Sequence, residues 1–268
     1  MAKYKKKRVR ELQHDRFRDA AMHFFDRLGD GLEGRGRTIL YALGGLLVAG
    51  VLIFAFVKWN YKKTDEARQA LGRAITISNA QIAPAPAPGS TDPTFGTEKD
   101  RAQRAIEEFE KVAAKYGEPY KATSRYFIAT NRLILDRQKG MTELAEVGNS
   151  GVAEVAPLAK FALAQAQESD GKLQEAAQLY TDLAKLNSAV ITPETANLRL
   201  AKVYEKLGKK KEASDLLFNI VDASRKAKGA DNLPLPKSSA AREAADELQK
   251  LDPDRYAQLP PDTPSLAG

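Results

Sequence analysis

Few residues of this chain have types and spacings that could do chemistry. His14 and His23 lie in a basic segment without the carboxylate or histidine cluster that metal ligation needs, and they read as surface residues. Glu107 and Glu108 are adjacent, as a general acid and base could be, but they sit in the helical pattern AIEEFEKVAAKY and belong to its solvated face. Lys209, Lys210 and Lys211 fall in a turn between two helical segments. There is no cysteine, which excludes disulfides, thiolate metal sites and a cysteine nucleophile. No phosphate-binding loop, dinucleotide fingerprint, HExxH or GxSxG is present. The expectation is a protein that is not an enzyme and needs no cofactor or metal, with an enzyme or sensor subunit built from scattered residues as the competing reading.

What must be positioned is therefore surface rather than chemistry, and the charge distribution says where to look. The 268 residues carry a net charge of +7, which by itself suggests a nucleic-acid or membrane partner. Residues 1–63 hold 14 Lys/Arg against 6 Asp/Glu, whereas the rest hold 28 against 29. The excess flanks one apolar run, TILYALGGLLVAGVLIFAFV, from Thr38 to Val57. Positive charge placed there is a topology and headgroup signal, and nucleic acid is not expected as a partner.

The run is 20 residues without an ionisable side chain. As a helix it matches the ~30 Å hydrocarbon core of a bilayer. A cleaved signal peptide has a shorter apolar stretch, a shorter leader and a prompt small-residue cleavage site, so this is read as an uncleaved transmembrane helix. Arg35 and Arg37 before it, and Lys58, Trp59, Tyr61 and Lys62 after it, are the expected membrane-interface residues. Basic residues near the two ends are close to even in number. The short basic tail favours an N-terminus in the cytosol and a C-terminal domain across the membrane; the opposite orientation is the alternative. The small residues Gly45 and Ala49 are spaced for close helix approach, so self-association through the anchor or the repeats below is also expected.

The chain divides into a basic amphipathic cytosolic tail, 1–37, the transmembrane helix, 38–57, and a juxtamembrane helix with a Pro-rich linker, 58–98. After these come a helical domain, 99–251, and a Pro-rich tail, 252–268. In the first segment Leu12, Phe17, Ala21, Phe24, Phe25 and Leu28 share a helical face suited to a membrane surface. In the linker, QIAPAPAPGSTDP favours extended chain. The periodicity beyond it predicts helices over 99–116, 119–137, 152–169, 172–187, 194–208, 210–226 and 237–250, with a short one near 141–147.

The helical part repeats itself. LAQAQESDGKLQEAAQLYTDL, from Leu163, overlays LAKVYEKLGKKKEASDLLFNI, from Leu200, without a gap at an offset of 37 residues. Ala164 with Ala176, and Ala201 with Ala213, are small where paired helices cross; Gly171 and Gly208 suit the turn. Tyr180, Leu183, Leu217 and Ile220 continue the apolar stripe of the second helix. Upstream, YKATSRYFIATNRLILDR aligns through Ala129, but QKGMTELAEVGNSG is short for a full second helix. AIEEFEKVAAKY reads as a second helix whose partner is Glu66 to Ser78 across the Pro-rich insertion.

This pattern resembles the tetratricopeptide repeat, whose period is ~34 residues. The fold class expected is all-α: one transmembrane helix plus a tetratricopeptide-like α-solenoid of about three to four helix pairs, capped by SSAAREAADELQKL. The resemblance implies a partner-binding groove lined by the first helix of each pair. Aligning the alanines puts Tyr126, Phe161 and Leu198 in equivalent places, with Thr130, Gln165 and Lys202 one turn on. An apolar peptide would suit such a row, as would the chain's own tail or next helix.

The whole arrangement, with HFFDRLGDGLEGRGR leading to an anchor that ends in VKW, also resembles the ancillary subunit family of the bacterial Sec translocon. That resemblance implies a single-pass inner-membrane scaffold with a periplasmic domain. Its implied partners are Sec translocon subunits, periplasmic chaperones or envelope assembly factors, besides the lipid bilayer. A cytosol-facing docking receptor for chaperones or targeting complexes is the alternative.

Overall fold

A computed structural model describes residues 36–84, 93–186, 188–230 and 232–262. The amphipathic tail and Arg35 lie outside the described residues. The chain forms two compact units, residues 1–65 and 66–268. Among the described residues the elements are helices joined by short loops, plus one pair of two-residue strands.

Helix α1, Gly36–Ser78, contains the whole apolar run. In the first unit its Val48, Val51, Leu52 and Phe54 are 58–68% exposed. Most other side chains of the run lie outside the described residues, and over the described residues no helix is long and apolar enough to cross a membrane. Lys58 is exposed.

The second unit begins at Glu66, whereas the sequence pattern puts its start near Lys99. The last turns of α1 are core: Ala67 and Ala74 are buried, and Ala74 packs with Ala105 and Phe109. They pair with α2, Glu98–Lys115, as the apolar pattern required. The Pro-rich insertion between them is pinned at its ends. Strand β1, Gln81–Ile82, pairs in parallel with β2, Thr94–Phe95, and Arg101 Nη1 donates to the carbonyl of Ala80 at 3.3 Å.

The remaining helices are α3, Tyr120–Leu135; α4, Arg137–Gly148; α5, Ala156–Ser169; α6, Leu173–Lys185; α7, Pro193–Lys206; α8, Lys210–Lys226; α9, Ser239–Leu251; and α10, Pro253–Tyr256. Their starts are written in the sequence. Thr97, Asp136, Thr192, Ser238 and Asp252 each accept a hydrogen bond from an amide in the first turn of the next helix. Such a cap is worth about 1 kcal/mol.

Each helix from α2 onward packs on its sequence neighbours, and α3 also meets α5 as α7 meets α9. This is a linear array of helix pairs. The two overlaid segments are the pairs α5/α6 and α7/α8, and their turns are the same structure. Gly171 and Gly208 have φ of +74° and +75°, and the amide after each reaches back to Gln167 or Tyr204 at 2.9 Å, closing the helix in a left-handed cap. Ala164, Ala176, Ala201 and Ala213 are all at most 1% exposed, and Tyr180, Leu183 and Leu217 fill the core beside them. Burying each of these larger side chains stabilises the array by about 1.5–3 kcal/mol.

The pair α3/α4 departs from the expectation of a short second helix. Helix α4 has 12 residues and buries Met141, Leu144 and Val147. Asp136 replaces the glycine turn: in extended conformation it ends α3 and accepts from the amide of Lys139 at 3.0 Å to begin α4. Gly140 then supplies the close crossing, since a Cβ there would lie 2.6 Å from the backbone nitrogen of Leu133.

The Pro-rich tail is part of the fold as far as residue 262. Leu259 is buried in a cluster that includes Leu217, Ile220 and Leu248. The Arg255 guanidinium lies over the Phe218 ring at 4.5 Å and pairs with Asp215 at 2.9 Å. Arg225 donates to the Pro260 carbonyl, and Lys237 pairs with Asp262.

Candidate interaction surface

The first helices α3, α5 and α7 carry the six predicted groove residues, in pairs one turn apart. Helical geometry puts Tyr126 and Thr130, Phe161 and Gln165, and Leu198 and Lys202 each on one face.

The structure does not open the apolar members into one row. Tyr126 is half-buried against the core formed by α3, α4 and α5, edge-on to Phe127 at 5.3 Å, and burial pushes its phenol above the usual range. Phe161 turns edge-on to Tyr180 at 5.6 Å. Leu198 is buried at 4% exposure in the cluster shared by α7, α8, α9 and Leu259, so the chain itself covers it. Alignment could equate these positions, but burial depends on the element that comes after each pair. Helix α9 and the tail close over the last one.

The polar members differ too. Thr130 Oγ1 donates to the carbonyl of Phe127 at 3.0 Å, an internal helix bond. Lys202 is tied across to Glu243 of α9, and its ammonium holds that carboxyl below the usual carboxylate range. Gln165, on α5, is the one fully exposed residue of the six.

Links between pairs, invisible in the sequence, keep this face in register. Glu168 accepts from the Tyr180 hydroxyl at 3.2 Å and from Lys206 Nζ of the next pair at 2.5 Å. Burial, with Glu168 beside it, pushes the Tyr180 phenol up. Arg137 on α4 pairs with Asp170 and donates to the Ala166 carbonyl at 2.8 Å. Asn131 donates to Ser78 Oγ at 3.1 Å, joining α3 to the end of α1.

A shallow pocket lies between α8, α9 and the tail, where Arg225, Lys237 and Arg242 face Asp246, Tyr256 and Asp262. Its volume of about 280 Å³ is at the small end for a ligand site. Among the described residues no group of three or more His, Asp or Glu is arranged to hold a metal ion.

No family model matches the chain, and no curated protein matches it in sequence. Two solved structures are similar in fold. One is a Podosopora anserina protein described as a putative kinesin light chain with nearly identical TPR-like repeats, at 18% identity and a TM-score of 0.48, with 72% of this chain and 88% of that chain covered. The other is a single-substitution variant of it with the same values.

Proposed function

We propose that this protein is a membrane-tethered scaffold that binds other proteins through its helix-pair array. The observation that carries the tether is the helix through Thr38–Val57, in which Val48, Val51, Leu52 and Phe54 stand exposed along an uninterrupted apolar sequence. Water is a costly solvent for such a surface, at about 25 cal/mol per Å² of apolar area, whereas lipid is not. The scaffold reading is supported by the array. Its buried residues are apolar apart from Ser124, Asn131 and Ser214, its inter-pair links are structural, and its first-helix face presents Gln165 one turn from the half-buried ring of Phe161.

The tether lies in a bacterial inner membrane, with residues 66–268 on the outer face, near the Sec translocon or with periplasmic chaperones and envelope assembly factors. Support for this finer reading is the resemblance of HFFDRLGDGLEGRGR and VKW around the anchor, together with the basic residues before it.

The test places a photo-crosslinking residue at Gln165 of the full chain in cells and combines it with protease treatment of spheroplasts. The expected result is cleavage of the C-terminal unit from outside and discrete crosslinked adducts. A C-terminal unit protected in spheroplasts and cut only after lysis would reverse the topology in favour of a cytosol-facing receptor. Absence of adducts from Gln165 would remove this face as the binding surface.

A further inference from the structure

Helix α9 meets α7 as α5 meets α3, so it stands as the first helix of a further pair. No second helix of comparable length follows it among the described residues. Residues 253–262 lie against α8 and α9 instead, with nothing buried in the four-residue α10 and Leu259 alone buried beyond it.

This segment is held as a bound peptide is held. Leu259 enters the apolar cluster of Ile220, Val221, Ala241 and Leu248. Arg225 donates through Nη1 to the Pro260 carbonyl and through Nη2 to the Tyr256 hydroxyl at 3.2 Å, with its guanidinium 5.5 Å from the centre of the Tyr256 ring. Lys237 donates to both carboxylate oxygens of Asp262. A leucine, a main-chain acceptor and a carboxylate are thus read in order along LPPD, and the two prolines favour extended chain there.

The seat is only partly filled. The cavity of about 280 Å³ lies beside the tail, with Tyr256 and Asp262 as one wall. Val221 and Ala241 line it and also belong to the cluster that receives Leu259, so the cavity and the leucine seat are continuous. Arg225 Nε is buried without a hydrogen-bond partner, and Arg242 is exposed on the wall without an ion pair among the described residues. Asp262 belongs to the tail. What α8, α9 and the loop between them contribute is Arg225, Lys237 and Arg242 against Asp246, while Asp222 of α8 is engaged by Lys226. The groove is therefore cationic once the tail leaves. Few contacts keep the tail there: one buried leucine, the Arg225 bonds and two solvent-open ion pairs, a weak class of contact.

We infer that this groove is a peptide site and that the tail is its built-in competitor: a partner protein binds here through an extended segment in which a leucine and prolines precede a carboxylate, and displaces residues 253–262. The partner rests on the scaffold reading above, but the site belongs to the second unit alone and does not involve Gln165.

The test uses the full chain in mild detergent and a fluorescent, C-terminally amidated peptide of residues 255–262, RYAQLPPD, read by anisotropy. Asp262→Asn, alone and with Leu259→Ala, releases the tail, and unchanged helicity checks that each chain is folded. The expected result is tighter peptide binding by the double variant than by the wild-type chain, about tenfold for a tail seated in about nine chains of ten, with the single variant between them. Adding Lys237→Glu to the double variant removes this binding and restores it for a peptide carrying Asp262→Lys. Equal affinity of wild type and double variant overturns the inference, as does a folded double variant that binds no peptide. A wild-type dimer, seen by light scattering, that the tail substitutions dissolve places the tail on a second copy and also overturns it. Adducts from Gln165 judge the scaffold reading separately: adducts there without peptide binding here sink this site alone, and peptide binding without those adducts leaves this site standing.

Discussion

Gly140 shows how one residue decides a helix crossing. The other two pairs cross on Ala176 and Ala213, but the α3/α4 pair is closer, with the Leu133 backbone where a methyl group would go. Gly140→Ala is therefore expected to lower stability by about 1–3 kcal/mol, as overpacking against rigid backbone does, measured by urea unfolding. Gly72 is the control. It is exposed in α1 with nothing within 4 Å of an added Cβ, so Gly72→Ala raises helix stability by about 0.5–1 kcal/mol. A gain from both substitutions would disprove the close crossing. The sequence shows Gly140 only as a glycine between the helices expected over 119–137 and near 141–147, because a close approach depends on a residue of another helix. Gly171 and Gly208 are legible, since their role is local and recurs at a fixed offset.

At the scale of elements, the tail is the case where hydrophobic pattern has no purchase. RYAQLPP has no period, and its order comes from Leu259 finding an apolar cluster and from ion pairs to α8 and the loop before α9. Leu259→Ala should cost about 2 kcal/mol and loosen the tail, seen as faster amide exchange over 253–262. Two carboxyls at the tail's ends titrate with it. The Arg255 amide and the Ser214 hydroxyl hold Asp252 below its ordinary range, and Lys237 does the same for Asp262. A depressed folded pKa contributes stability above the unfolded pKa and loses it as pH falls through the folded value. Protection of the tail amides, taken relative to their intrinsic exchange rates, is therefore expected to be high at neutral pH and to fall below the ordinary carboxylate range. Slower exchange of the tail, relative to the array, on acidification would contradict this. The α1 end belongs to the same lesson. Its pairing with α2 is legible from the apolar face of AIEEFEKVAAKY, which needs a partner, but the unit boundary at Glu66 is not, because nothing in composition marks where a continuous helix passes into a core.

For the molecule as a whole, the division into units 1–65 and 66–268 predicts that a chain starting at Glu66 keeps the helicity and cooperative unfolding of the second unit. The proposed tether predicts that this chain stays in the supernatant when membranes are sedimented, whereas the full chain pellets and resists carbonate extraction. Loss of helicity in the shorter chain would show that the array needs residues before Glu66. The sequence by itself determined the repeated helix pairs α5/α6 and α7/α8, their glycine turns and the single apolar run, because hydrophobic period and left-handed glycines act over a few residues. It also determined the repeat offset that identifies equivalent positions. Only the tertiary structure decided which equivalent positions are open. Leu198 is equivalent to Phe161 in the alignment, yet α9 and the tail cover it, and Gln165 stays exposed while Lys202 is drawn to Glu243. Exposure is set by neighbours distant in sequence, and in an array it changes with a pair's distance from the end.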